Sequence, residues 1–299
     1  MTKILIADGL DKKALEFLRA VPGFEVTVNK GMSEADLVQI VPGFSAVVVR
    51  SASRITRPVI EAGKDLKVLV RAGIGLDNID RDAAKEKGIA VANTPAATSI
   101  SVAEHTFGLM LGAVRNHAKA VLSMKAHKWD KKSLEGTELY GKTLGIIGCG
   151  RIGIEVAKRA LAFGMTVLVY DVIPVKTDVA VKQVPLEELL AAADLITLHV
   201  PKQAKPILGE AEFGKTKNGV IIVNVARGGV VDEKALLAAL NSGKVRAAAL
   251  DVFDKEPPED FSLVDHPNVI PIPHLGAAAA EGQQRAGLEV VRILTEKLG

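Results

Sequence analysis

Three glycines and an acid carry the first chemical signal in this chain. They lie in Gly148-Cys149-Gly150-Arg151-Ile152-Gly153, which follows the apolar run Thr143 to Ile147 and opens a helix-like segment to Phe163. A second apolar run ends at Asp171, 18 positions after Gly153. Strand, glycine turn, helix, strand and acid at this spacing form a dinucleotide-binding fingerprint. Gly148 serves the tight turn, Gly150 the close approach of a pyrophosphate, and Gly153 the packing of helix on strand. Arg151 and Ile152 begin the helix whose positive end would meet that pyrophosphate. Asp171 would accept hydrogen bonds from a ribose 2′-OH and repel a 2′-phosphate, favouring NAD over NADP.

Three later loops carry charge where a solvated turn would suffice: Asn224 to Gly229, Asp251 to Pro258, and Pro271 to Gly276. Each follows a strand-like run, and in open α/β sheets ligands sit beyond the carboxyl ends of the strands. Together the loops offer a guanidinium (Arg227), a carboxylate (Glu256) and an imidazole (His274). That trio suits hydride transfer to a 2-oxo acid. The developing alkoxide needs a proton, which His274 could supply, and Glu256 beside it would raise the imidazole pKa. Arg227 could bind the substrate carboxylate in a fork and polarise the carbonyl.

The elements that must position these groups recur along the whole chain. Strand-like runs at Lys3 to Ala7, Glu25 to Val28, Ala46 to Arg50, Lys67 to Arg71 and Ile89 to Ala92 alternate with helix-like segments. Those helices are expected at Asp11 to Ala20, Ser33 to Ile40, Thr56 to Gly63 and Asn78 to Lys87. Pro95 marks a hinge, followed by one long helix from about Ser99 to Ala126 with Ser101 and Glu104 as a capping box. After Asp171, strands are expected at Leu195 to His199, Gly219 to Val225, Ala247 to Asp251 and Asn268 to Ile272, with a helix at Asp232 to Ser242. A final helix runs from Ala277 to Leu298.

A fingerprint that begins near position 143 leaves the first third of the chain to another domain. The expected architecture is α/β, with two doubly wound parallel sheets: a Rossmann domain (96–280) inserted in a flavodoxin-like substrate domain (1–95 and 281–299). The last helix should return to the first domain, and a cleft between the domains is the default binding site.

Composition narrows the function classes. The 299 residues are 48% apolar and 4% aromatic, which suits close helix-on-sheet packing. The net charge of +3 gives no general attraction to polyanions, so nucleic acid is not implied. No window holds 18 uninterrupted apolar residues, and the short run before Asp8 does not make a signal peptide, so a cytoplasmic protein away from membranes is expected. The single cysteine, Cys149, fits a reducing compartment as a small filler of the glycine turn. The sequence contains no H-E-x-x-H, C-x-x-C or G-x-S-x-G, and the remaining histidines lack metal-ligand spacing, so no metal is expected. His105, on the long helix, reads as a packed or interface residue.

The chain resembles the D-isomer-specific 2-hydroxyacid dehydrogenases. The likeness rests on Val49-Arg50-Ser51, Arg71 to Asn78, Gly136 to Leu139, the fingerprint, Val225 to Gly229, Ala249 to Phe253 with Glu256-Pro257-Pro258, and Pro273 to Ala277. The resemblance implies that Arg227, Glu256 and His274 are catalytic and that Asp171 binds the adenosine ribose. It also implies that Val200, Pro201, Ala226, Asp251 and Gly276 line the cofactor. Within the first domain Gly73-Ile74-Gly75 would form a nest for the substrate carboxylate. Arg50, with Ser51, and Arg71 would face a 3-phosphate, and ordinary surface charge is the alternative for the two arginines.

The members nearest in pattern interconvert 3-phosphoglycerate and 3-phosphohydroxypyruvate with NAD as homodimers, which is the activity and assembly the resemblance implies here. Reduction of glyoxylate or hydroxypyruvate is the near alternative. A nucleotide-sensing binding protein is the alternative of another class, and the intact trio argues against it. Ala278 and Ala279 stand where related sequences often carry hydroxyl residues, and no C-terminal regulatory domain is expected beyond Gly299.

Overall fold

The computed structural model describes residues 1–299, which form two compact units: Met1–Ser101 with Ala277–Gly299, and Val102–Gly276. In the first, β1 (Thr2–Ile6), α1 (Lys12–Ala20), β2 (Phe24–Val28), α2 (Glu34–Ile40), β3 (Ala46–Val49), α3 (Arg57–Ala62), β4 (Val68–Arg71), α4 (Arg81–Glu86) and β5 (Ala90–Asn93) alternate. The five strands are parallel, in the order β2-β1-β3-β4-β5. This is the flavodoxin-like order, with its switch point between β1 and β3.

Local sequence starts these helices where it should. Asp11 accepts from the amides of Lys13 and Ala14, and Ser33 makes a reciprocal capping box with Asp36. The helix expected from Asn78 begins later, capped by Asp80, because Asn78 is engaged elsewhere. β3 is buried on both faces, as the centre of a doubly covered parallel sheet requires.

Next come α5 (Ser99–Val114) and α6 (His117–Lys125), where one continuous helix was expected. The break is at Asn116, whose φ of 55° is left-handed, a conformation asparagine tolerates better than most residues. Its Nδ2 donates to the carbonyls of Leu134 and Glu135, which ties the break to the following loop. Ser101 falls inside the first turn of α5 instead of before it.

The second unit continues through β6 (Thr143–Ile147), α7 (Arg151–Ala162), β7 (Thr166–Tyr170), β8 (Lys182–Gln183), α8 (Leu186–Ala192), β9 (Leu195–Leu198), α9 (Glu210–Lys215), β10 (Val220–Asn224), α10 (Glu233–Asn241), β11 (Val245–Leu250) and β12 (Val269–Pro271). Its seven parallel strands run β12-β11-β10-β9-β6-β7-β8, the Rossmann order with its reversal at β6 and β9. The last helix, α11 (Ala280–Leu298), belongs to the first unit. Its Ala286, Val290, Ile293 and Leu294 are buried with Ile4, Ile6, Val48 and Val70. Short β8, α8 and α9 were not evident in the sequence.

Candidate active site

The carboxyl ends of the strands in the second unit bring most of the expected residues to one edge of the sheet. After β6 comes the glycine turn, and its geometry matches a pyrophosphate cradle. Gly148 has φ +90°, and a Cβ there would meet the His199 carbonyl oxygen at 2.6 Å. A Cβ on Gly153 would stand 2.4 Å from the Gly148 carbonyl oxygen, so only glycine lets α7 lie this close to β6. Gly150 caps α7, and a Cβ there would meet nothing within 4 Å. The space beside Gly150 is therefore open, and Gly150 stands at the N-terminus of α7, the kind of helix end that can receive an anion.

Asp171, at the end of β7, accepts from the Cys149 amide at 2.9 Å and fastens the turn to the second strand. Burial and the Asp171 charge push the Cys149 thiol up to about 11, so it stays protonated and unreactive. Val200 and Pro201 follow β9, and beside them burial pushes His199 down to about 3, which keeps it neutral. These residues fit a dinucleotide: a glycine cradle, a helix terminus and an acid at the ribose position.

After β10, the side chain of Asn224 builds the next loop by accepting from the Ala226 amide and donating to the Arg227 carbonyl oxygen. Gly228 then runs against the Phe253 backbone so closely that a Cβ would lie 1.9 Å from the Phe253 oxygen. That contact brings the Arg227 loop onto the loop that carries Glu256. Arg227 donates from Nη1 to the Ala226 carbonyl oxygen at 2.7 Å.

His274 and Glu256 meet directly, Nδ1 to Oε2 at 2.8 Å, with both side chains about two-fifths exposed. The hydrogen bond to Glu256 raises the His274 pKa against the opposing effect of burial. The charges of Glu256 and Asp251 reinforce the rise, and that of Arg227 opposes it. Burial is the largest single influence on the Glu256 carboxyl and pushes it up, but the hydrogen bond to His274, the imidazole charge and the Phe253 amide together outweigh it and hold the group below the usual carboxylate value. The carboxylate is anchored from the other side by the Phe253 amide. Because Nδ1 faces Glu256, Nε2 is the imidazole nitrogen left for a substrate proton.

Asp251, at the end of β11, is 1% exposed. Its Oδ1 accepts from the Leu275 amide at 2.7 Å and its Oδ2 from the Gly276 amide at 2.9 Å. The side chain thus serves the turn after β12. His105 of α5 reaches the same carboxylate, Nε2 to Oδ1 at 3.1 Å. Nothing in the spacing of the two residues, 146 positions apart, points to that contact.

The expected substrate residues, Arg50, Ser51, Arg71, Gly73, Ile74 and Gly75, belong to the first unit. There Asp8, after β1, accepts from the amides of Arg50 and Ser53 at 2.6 and 3.0 Å. Arg71 donates to the carbonyl oxygens of Arg50 and Gly75, Asn78 to those of Arg50 and Ser53, and Asn93 to that of Ile74. A bonded frame therefore holds the Arg50 loop and the Gly73–Gly75 turn, and in this frame Arg50 takes part through its backbone. Asp8, Asn78 and Asn93 were not singled out from the sequence.

Residues 107–276 match the model of the D-isomer specific 2-hydroxyacid dehydrogenase NAD binding domain. The chain is 49% identical over 302 residues to a hydroxypyruvate reductase of Thermotoga maritima, covering 99% of this chain and 98% of that protein. It is 50% identical over 304 residues to a D-3-phosphoglycerate dehydrogenase of Methanocaldococcus jannaschii, covering 100% of this chain but 58% of that protein. The chain thus spans a little over half the length of that phosphoglycerate dehydrogenase. Among solved structures, a D-lactate dehydrogenase from Aquifex aeolicus, complexed with NAD and lactic acid, is similar with a TM-score of 0.87 at 29% identity, over 98% of this chain and 94% of that one.

Proposed function

The chain belongs to the D-isomer-specific 2-hydroxyacid dehydrogenase family and is an NAD-dependent oxidoreductase; from that premise we propose that it interconverts 3-phosphoglycerate and 3-phosphohydroxypyruvate, as a D-3-phosphoglycerate dehydrogenase serving serine synthesis in the cytoplasm. The observation that carries the chemistry is the 2.8 Å pair of His274 and Glu256 with its raised imidazole pKa. Bound NAD would supply the hydride acceptor for the substrate C2 in oxidation, and NADH the hydride donor in reduction. His274 takes the hydroxyl proton at Nε2 during oxidation and gives it to the carbonyl oxygen during reduction. Glu256 orients the ring and stabilises its charged form. Arg227 binds the substrate carboxylate and polarises the carbonyl.

We assign NAD to Gly148, Gly150, Arg151, Ile152, Gly153 and Asp171, with Val200, Pro201, Ala226, Asp251 and Gly276 completing its surroundings. Arg50 and Ser51 are assigned to the substrate phosphate, and the Gly73–Gly75 nest to its carboxylate. Arg71 supports that loop through its bonds to the Arg50 and Gly75 carbonyls. Identity of 50% along the whole chain to a named phosphoglycerate dehydrogenase supports the phosphorylated substrate.

Hydroxypyruvate is the second reading, favoured by the end-to-end match to a protein of that name. NADH oxidation with phosphohydroxypyruvate, hydroxypyruvate and glyoxylate side by side decides between them. The first should give the highest kcat/KM, and Arg50→Ala should depress that value while sparing hydroxypyruvate. An unchanged kcat/KM for phosphohydroxypyruvate in Arg50→Ala would refute the phosphate assignment.

A homodimer is part of the same proposal. No residue of α6 is buried, and Val121, Leu122, Met124 and nearby Trp129 are exposed, an apolar patch suited to a second copy.

A further inference from the structure

We propose that His105 is a positioning residue for His274, acting through the buried carboxylate of Asp251. The inference rests on the proton-transfer role assigned to His274, and it concerns a residue that never touches the reacting atoms.

His274 sits in a left-handed conformation, φ 53°, which a non-glycine residue adopts only when its surroundings hold it there. The hold comes from Asp251. Its backbone oxygen accepts from the His274 amide at 2.9 Å, and its carboxylate accepts from the next two amides, Leu275 and Gly276. One residue therefore binds three consecutive N–H groups and sets the turn from which the imidazole projects. The turn is also tightly enclosed, since a Cβ on Gly276 would lie 2.9 Å from Val225 and 3.0 Å from Asp251 Oδ2.

A carboxylate that is 1% exposed must be fixed by its donors, because bulk solvent does not reach it. Two of those donors belong to the turn itself and would move with it. The donor from outside is His105, which arrives from α5 and shares Oδ1 with Leu275. The helix gives this donor a firm base, because Val102, Phe107, Leu109 and Met110 are buried along it. The same helix packs under the turn, Val102 Cγ1 lying 3.7 Å from the Gly276 Cβ position. His105 thus ties a loop strained at φ to a helix that is not, with its Nε2 carrying the hydrogen. Without that tie Asp251 and the three amides can rotate as one body, and Nε2 of His274 loses its aim.

Three variants test reach against polarity. His105→Gln places an amide nitrogen near the position of Nε2, His105→Asn keeps a polar amide but falls short of Asp251, and His105→Leu removes the donor. Each is assayed for NADH-dependent reduction of a 2-oxo acid, with the NADH dissociation constant and Tm measured alongside. The expected result is a kcat about tenfold or more below the native value for Asn and Leu, with a smaller loss of NADH affinity because Asp251 and Gly276 are assigned to the cofactor surroundings, and substantial recovery of both in Gln. A merely structural histidine would lower Tm and leave kcat per folded molecule intact. Native kcat in folded His105→Asn overturns the inference, and so does a His105→Gln protein that is folded but as slow as His105→Asn. His274→Ala, run in parallel, separates the two levels: if it retains turnover, the role of His274 itself is wrong, whereas its loss beside an unaffected His105→Asn sinks only the positioning role.

Discussion

Glu256 sets when His274 carries a proton. The pair raises the imidazole above its ordinary 6.5 and lowers the carboxyl below its ordinary 4.5. In the proposed mechanism reduction needs the imidazolium, so kcat/KM for a 2-oxo acid should fall as pH rises through the raised histidine value. Glu256→Gln removes the charge, and that falling limb should move to lower pH along with a drop in rate of about tenfold to a hundredfold. A pH–rate profile checks this, and a limb that stays in place would assign the titration to another group. The pair also couples to stability. The histidine contribution is complete below about pH 6.5 and disappears as pH rises through the raised folded value, while the glutamate contribution is complete above about pH 4.5 and disappears as pH falls through the lowered one. Both side chains are about two-fifths exposed, so solvent keeps that stabilisation small.

The glycine turn joining β6 to α7 separates binding from stability within six residues. A Cβ on Gly153 would stand 2.4 Å from a backbone oxygen, and neither atom can move without shifting the helix. Gly153→Ala should cost about 1–3 kcal/mol and lower Tm as well as NADH affinity. Gly150 has open space beside it and an extended backbone that any residue adopts. Gly150→Ala should therefore melt within about 0.5 kcal/mol of the native protein yet bind NADH at least several-fold more weakly. Thermal melts beside NADH fluorescence titrations compare the two, and equal losses of Tm would refute the distinction. The turn and the close packing of Gly153 were legible because they depend on neighbours close in sequence. The break between α5 and α6 was not, since Asn116 is held in its left-handed state by carbonyls 18 and 19 residues away.

For the whole molecule, the exposed apolar residues around α6 are the surface on which the proposed homodimer would form. Leu122 is 68% exposed and Trp129 78%, so introducing charge there should leave the fold alone and disrupt association. Leu122→Glu is expected to run as a monomer in light scattering with a native circular dichroism spectrum. A variant that remains dimeric would place the interface elsewhere. No helix is long and apolar enough to cross a membrane, so these residues do not mark a span.

The sequence by itself determined the two parallel α/β sheets, the glycine turn between β6 and α7, the acid that ends β7 and the three loops that carry Arg227, Glu256 and His274, because alternating apolar runs and short motifs are set by neighbours along the chain. Only the tertiary structure decided what stands behind those loops. Asp8 anchors the Arg50 loop across 42 positions, Arg71 turns two donors to backbone carbonyls, and His105 reaches Asp251 across 146. A buried polar group takes whichever partner folding brings within about 3 Å, and no periodicity or motif records that distance. The loops were therefore readable, while the contacts that stand behind them were not.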